Sequence, residues 1–237
     1  MRFLILCHWF TGSTLLRDVL RHCGMNDCNI EFGYETWNIN RVGSELSQGG
    51  YDKDHVEGVH TILKDYDKKS KGAHGIKVTH ALQASCWKHL GPIFDQEWPD
   101  AQYIISIRHP ALIVKAMQAV IYRNGPHEGD MTDQMVVDSW MSAAEATSYL
   151  LINKNATLVV YPDDYQSGKI KSIVSNIGLK WTLEAEHLFD PNKFVALTDA
   201  EIQSFSVLYP EAVKFFNDLI PAKIVKSTKK RIKRIKK

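Results

Sequence analysis

Arg2-Phe3-Leu4-Ile5-Leu6-Cys7-His8-Trp9-Phe10-Thr11-Gly12-Ser13-Thr14 opens the chain, and Leu15, Leu16, Val19 and Leu20 follow with Arg17, Asp18 and Arg21 between them. The continuous apolar run 2–7 reads as a strand buried on both faces, because a half-exposed strand would alternate. The i, i+4 apolar spacing after Thr14 reads as an amphipathic helix. Strand, small-residue turn and helix therefore follow one another within about twenty residues.

The same alternation recurs downstream. Residues 75–79 read as a strand, with a helix after it to about 94. Residues 103–107 form a second clear strand ending at Arg108-His109-Pro110, and Pro110 suits the first turn of a helix over 111–123. A Gly- and Pro-containing loop follows to about 133, then a long helix to about 152 and a strand over 157–161 closed by Pro162. Helices near 166–177, 198–207 and 210–219 complete the body, and residues 24–55 lack a clean period and read as loops. Strands alternating with helices define an α/β fold: a mostly parallel central sheet with helices on both faces. Ligands of such sheets sit beyond the C-terminal strand ends, here residues 8–14, 79–82, 106–110 and 161–165. Trp140, among helical apolar neighbours, reads as core.

Composition narrows the class. The 237 residues fit one sizeable domain or two small ones; 44% hydrophobic and 24% charged is ordinary for a soluble globular protein, whose core needs no disulfides or metals. Cys7, Cys23, Cys28 and Cys86 are irregularly spaced, and no second Cys or His pair stands near Cys23 and Cys28 at ligand spacing. They read as thiols in a reducing compartment rather than as metal ligands, and no metal is expected. The apolar run stops at His8 without a cleavage site, and no stretch approaches a membrane span. A cytoplasmic location is the expectation. Residues 226–237 hold eight Lys or Arg and no acid, so the +2 net charge belongs to the tail and the rest of the chain is net acidic. The division is a domain over 1–222 and a basic tail over 223–237. The tail reads as a solvated end, a contact for an anionic membrane or polymer, or a contributor to ligand binding.

The turn after the first strand carries the chemistry. Successive N–H groups at a helix N-terminus, with Gly12 for close approach and Thr11, Ser13 and Thr14 as hydroxyls, make an anion site; one of the hydroxyls could instead simply cap the helix. The loop that binds nucleoside triphosphates requires G-x-x-x-x-G-K-[ST]. With Gly12 as its last glycine, Cys7 replaces the first glycine and Ser13 the lysine, so ATP or GTP hydrolysis is not expected.

A Thr11-Gly12-Ser13-Thr14 turn without that lysine resembles the P-loop-related sulfotransferases, which use 3′-phosphoadenosine 5′-phosphosulfate (PAPS). Trp98 to Pro110 resembles their segment leading to the arginine of the 3′-phosphate. Val159-Val160-Tyr161-Pro162-Asp163-Asp164-Tyr165 resembles their strand ending in Tyr-Glu-Asp-Leu, and Ile173 to Leu179 the helix after it. The resemblance implies a P-loop-like nucleotide-binding fold and transfer of a sulfuryl group from PAPS to a hydroxyl or amine. Phe10, Thr11, Gly12, Ser13 and Thr14 would hold the 5′-phosphosulfate, Arg108 the 3′-phosphate and Tyr161 the adenine, although Tyr161 reads equally as core. For the base it implies His80, in a Thr79-His80 pair like that of the cytosolic members, or Glu31 or Glu35 in the manner of the carbohydrate-modifying ones.

Two positions depart from the family. Phe10 stands where a Lys or Arg usually serves the leaving oxygen; His8, Lys77 and Lys115 are the candidates to replace it. Ala116 stands where a serine usually helps Arg108; Ser106 or the tail would have to compensate. The acceptor, a small molecule, glycan or lipid, would lie between loops 26–55 and 123–134, where Tyr34, Trp37 and Tyr51 could stack on it. Two other readings stay open: a catalytically inactive PAPS-binding module, and a docking protein acting through its tail.

Overall fold

The computed structural model describes residues 1–28, 53–124, 131–190 and 196–220, with the single positions 39, 46 and 50. Its strands are β1 (Arg2–Cys7), β2 (Asn26–Asp27), β3 (His74–Thr79), β4 (Gln102–Arg108) and β5 (Ala156–Tyr161). They form one parallel sheet in the order β2-β3-β1-β4-β5. The helices are α1 (Ser13–His22), α2 (Lys53–Lys69), α3 (Ala84–Glu97), α4 (Pro110–Asn124), α5 (Asp133–Asn153), α6 (Asp163–Gln166), α7 (Lys169–Asn176), α8 (Leu183–His187) and α9 (Asp199–Leu208), and α10 over 210–220.

β1 lies in the middle, so Phe3 to Cys7 are fully buried. Strand parity then sorts the side chains onto two faces. Leu4 and Leu6 join Ile76, Val78, Tyr103, Ile105, Leu158 and Val160 in a core shared with α2, α3 and α5. Phe3 and Ile5 join Ile104 and Val159 in a second core against α1 and α7. Burying each such side chain contributes roughly 1.5–3 kcal/mol. The sheet is covered on both sides, as the unbroken apolar runs require. Trp140 is buried as expected, and its indole donates to the carbonyl of Arg108 at 3.1 Å, fixing the end of β4.

Parity also places the polar residues of the strands. Lys77 and Thr79 alternate with Ile76 and Val78, and Ser106 and Arg108 alternate with Ile105 and Ile107, so all four belong to the face that α1 covers. Tyr161 packs on that same face.

Four elements depart from the sequence reading: β2, α2, α8, which lies where no helix was expected, and α6, which Gly168 (φ 70°) separates from α7 where a single helix was expected near 166–177. Residues 26–27 form a short edge strand, and α2 occupies a stretch to which periodicity assigned nothing. Val59, Leu63 and Tyr66 of α2 are fully buried.

Candidate functional site

β1 stops at Cys7 and α1 starts at Ser13, and the turn between them is held from inside. Thr11 donates its hydroxyl to the His8 carbonyl at 3.0 Å. Ser106, fully buried on β4, donates to the Thr11 carbonyl at 2.5 Å. Arg108 donates through Nη1 to the Phe10 carbonyl at 3.1 Å. With these carbonyls tied inward, Gly12 becomes the N-cap of α1 in the left-handed region, φ 71°, and no side chain caps the helix. The hydroxyls of Ser13 and Thr14 therefore do not cap α1, and its first N–H groups remain the partially positive end of the helix. Phe10 also has positive φ, 53°.

Tyr161 lies directly on the turn. A Cβ on Gly12 would stand 2.2 Å from Tyr161 Cδ2, so only glycine fits under the ring. Arg108 approaches the same ring, its Cζ 5.3 Å from the centroid, a cation–π distance. Arg108 is 7% exposed. Its Nε has no hydrogen-bond partner, and among the described residues no carboxylate pairs with it. Burial lowers its pKa, with Tyr161 opposing, yet a guanidinium stays charged.

The three cations considered for the place of Phe10 separate clearly. Lys115 pairs with Glu201 at 2.7 Å and bonds the Ala196 carbonyl, bracing α4 against α9. His8 is buried, and burial pushes its pKa down to about 3, so it is neutral at pH 7; its Nε2 lies 2.9 Å from Ser139 Oγ. Lys77 reaches the turn: its ammonium donates to Thr14 Oγ1 at 3.2 Å. Ser106, a candidate to replace the serine missing at Ala116, anchors the loop instead.

His80 follows β3 with φ 68° and donates its N–H to the Cys7 carbonyl at 3.1 Å. The Trp9 indole donates to His80 Nε2 at 2.8 Å, which puts the imidazole proton on Nδ1. Burial pushes its pKa down to about 4. Glu31 and Glu35 lie outside the described residues, as do Tyr34, Trp37, Tyr51 and the basic tail. Next to Trp9 a cavity of about 250 Å³ is walled by Gln83, Ser85, Met131, Ser139 and Ser142. Gln83 donates to Ser139 at 2.8 Å, and Ser142 accepts from the Ala84 N–H at 3.0 Å. Sequence reading missed Trp9, Gln83, Ser139 and Ser142. Ser139 and Ser142 sit mid-helix in α5 and carry no local signal.

The two imidazoles give the fold an acid-sensitive step. In the unfolded chain both titrate near 6.5, in the folded chain near 3 and 4. The unfolded state therefore gains protons first, and stability declines as pH falls below about 6.5. For His8, the more deeply buried of the two, lowering pH from 7 to 4 is expected to remove roughly 3 kcal/mol, read as a falling urea midpoint. His8→Gln, which keeps a group for Ser139, should flatten that decline.

No protein-family model and no curated protein matches the sequence. In structure, the chain is similar to a sulfotransferase from Alicyclobacillus acidocaldarius, with 12% identity, TM-score 0.55 and coverage of 92% of this chain and 94% of that one. It is similar to the sulfotransferase domain of the Synechococcus PCC 7002 olefin synthase, at 15% identity, TM-score 0.53 and coverage of 86% and 82%. It is also similar to the sulfotransferase domain from the curacin biosynthetic pathway, at 14% identity, TM-score 0.50 and coverage of 84% and 81%. At these identities the likeness is one of fold. The chain has a sulfotransferase-like, P-loop-like α/β fold. No helix among the described residues is long and apolar enough to cross a membrane.

Proposed function

We propose that this protein is a sulfotransferase that moves a sulfuryl group from PAPS to a hydroxyl or amine acceptor. One observation carries the reading: Arg108 is a buried guanidinium without a carboxylate among the described residues, set against a glycine turn at a helix N-terminus. A buried unpaired charge costs several kcal/mol, and a phosphate on the ligand offsets that cost. In this reading the turn from Phe10 to Thr14 holds the 5′-phosphosulfate. Arg108 pairs with the 3′-phosphate, and Tyr161 lies beside the adenine.

The acceptor enters the cavity beside Trp9. Its oxygen attacks sulfur while the bond from sulfur to the 5′-phosphate oxygen breaks, in line. Adenosine 3′,5′-bisphosphate leaves, and the acceptor proton goes to His80 Nε2 once the Trp9 indole moves off it; Glu31 and Glu35 are the alternative bases. Burial keeps His80 neutral throughout the physiological range, so its Nε2 is free of a proton when the acceptor arrives, and also makes it a weaker base than a free imidazole. No metal is required in this scheme, and four buried thiols fit a reducing cytoplasm.

The Trp9–His80 bond and Phe10 favour a second reading, a module that binds the nucleotide without transferring sulfate. A third, docking through the basic tail, leaves the site without a role.

Calorimetry with adenosine 3′,5′-bisphosphate, followed by labelled-sulfate transfer from PAPS to polyols, phenols, amines and lipids, tests all three. Binding with transfer is the expected result. Binding without transfer to any acceptor would select the inactive module, and no binding would leave only the tail.

A further inference from the structure

A lysine on the strand beside β1 reaches the turn in which Phe10 stands. With Gly12 as the last glycine of G-x-x-x-x-G-K-[ST], Thr14 takes the Ser/Thr position. In nucleoside triphosphate loops that hydroxyl binds Mg²⁺. Here the same hydroxyl accepts a hydrogen bond from Lys77 Nζ at 3.2 Å.

We propose that the Lys77 ammonium occupies the place of that divalent ion and stabilises the 5′-phosphate oxygen as the bond to sulfur breaks. This rests on the PAPS reading above. Lys77 pairs in register with Ile5 of β1 and lies on the face covered by α1. Its four-carbon stem spans from the level of Ile5 to the first turn of the helix.

The charge balance suits a single ammonium. A transferring phosphoryl group carries more negative charge than a sulfuryl group, and a divalent ion answers it. The sulfate ester of PAPS bears one negative charge at its terminus. As the acceptor oxygen bonds sulfur, the electron pair of the breaking bond stays on the phosphate oxygen. Lys77 keeps its proton and faces that new charge, a preorganised donor of the kind that acts most strongly in the transition state. Of the other two candidates, Lys115 is held by Glu201 on α9, away from the turn, and His8 is neutral.

The test uses the full chain with Lys77→Met and Lys77→Arg, each checked for an unchanged thermal midpoint. Lys77→Met is expected to weaken adenosine 3′,5′-bisphosphate binding about tenfold, the loss of one charged hydrogen bond. It should leave adenosine 3′-monophosphate binding as in the unsubstituted protein. On any acceptor that turns over, kcat should fall roughly 10²–10³-fold, and Lys77→Arg should recover part of the loss. Equal losses for both nucleotides, or no loss for either, would overturn the assignment while leaving the PAPS reading intact. Failure of the unsubstituted protein to bind the bisphosphate would remove that reading and this one together.

Discussion

Arg108→Met is expected to abolish measurable affinity for adenosine 3′,5′-bisphosphate while the ligand-free protein becomes no less stable. The two halves have one cause. Arg108 is 7% exposed, and among the described residues no carboxylate pairs with it. Two charged hydrogen bonds to a phosphate are together worth about 3–6 kcal/mol. Losing them lowers affinity at least a hundredfold. In the ligand-free state the same side chain is a desolvated charge. Replacing such a group with an apolar one of similar length is often neutral or stabilising by about 1–4 kcal/mol. The lost charged bond to the Phe10 carbonyl works against this by about 1.5–3 kcal/mol, so the two effects come close to cancelling. The pair of measurements is calorimetric affinity and the urea midpoint. A structural arginine would give the opposite pattern, with affinity kept and the midpoint lowered.

Gly12→Ala should damage both stability and binding. An alanine at φ 71° costs about 1–2 kcal/mol in any surroundings. Its Cβ would also stand 2.2 Å from Tyr161 Cδ2, so the ring must leave the turn and the Arg108 guanidinium with it. The combined cost is expected to be about 2–4 kcal/mol. A double substitution separates the two contributions. Gly12→Ala with Tyr161→Ala should restore the part due to the clash and keep the part due to the backbone. If the cost of Gly12→Ala is unchanged in the Tyr161→Ala background, the ring is not what makes glycine necessary.

Much of the architecture was legible because it is written in local patterns. β1, β3, β4 and β5 lie where apolar runs end at polar or Pro punctuation, and Pro110 begins α4 as its fixed φ favours. α2 was missed: Val56, Val59, Ile62, Leu63 and Tyr66 keep a helical period, but the charged residues between and around them make the segment look like surface. β2, two residues long, offers no periodicity at all. At the site, the turn at Gly12 and the strand end at Arg108 could be read because both sit at element boundaries. The Trp9–His80 and His8–Ser139 contacts could not. They join residues 71 and 131 positions apart, and only the packing of β3 and α5 beside β1 brings them together. The reach of Lys77 to Thr14 lies between these cases, since strand parity assigns its face but not its contact.

Lys77, Ser106, Arg108 and Tyr161 hang from three different strands, yet all occupy the same parity class of the pleat. Their convergence is thus guaranteed by the hydrophobic residues between them, which cannot change sides without unmaking both cores. A one-residue insertion within β4 would turn Arg108 away from the turn and push Ile105 and Ile107 out of their layer in the same stroke. The delivery of these side chains to one spot is therefore tied to the apolar alternation of the strands that carry them.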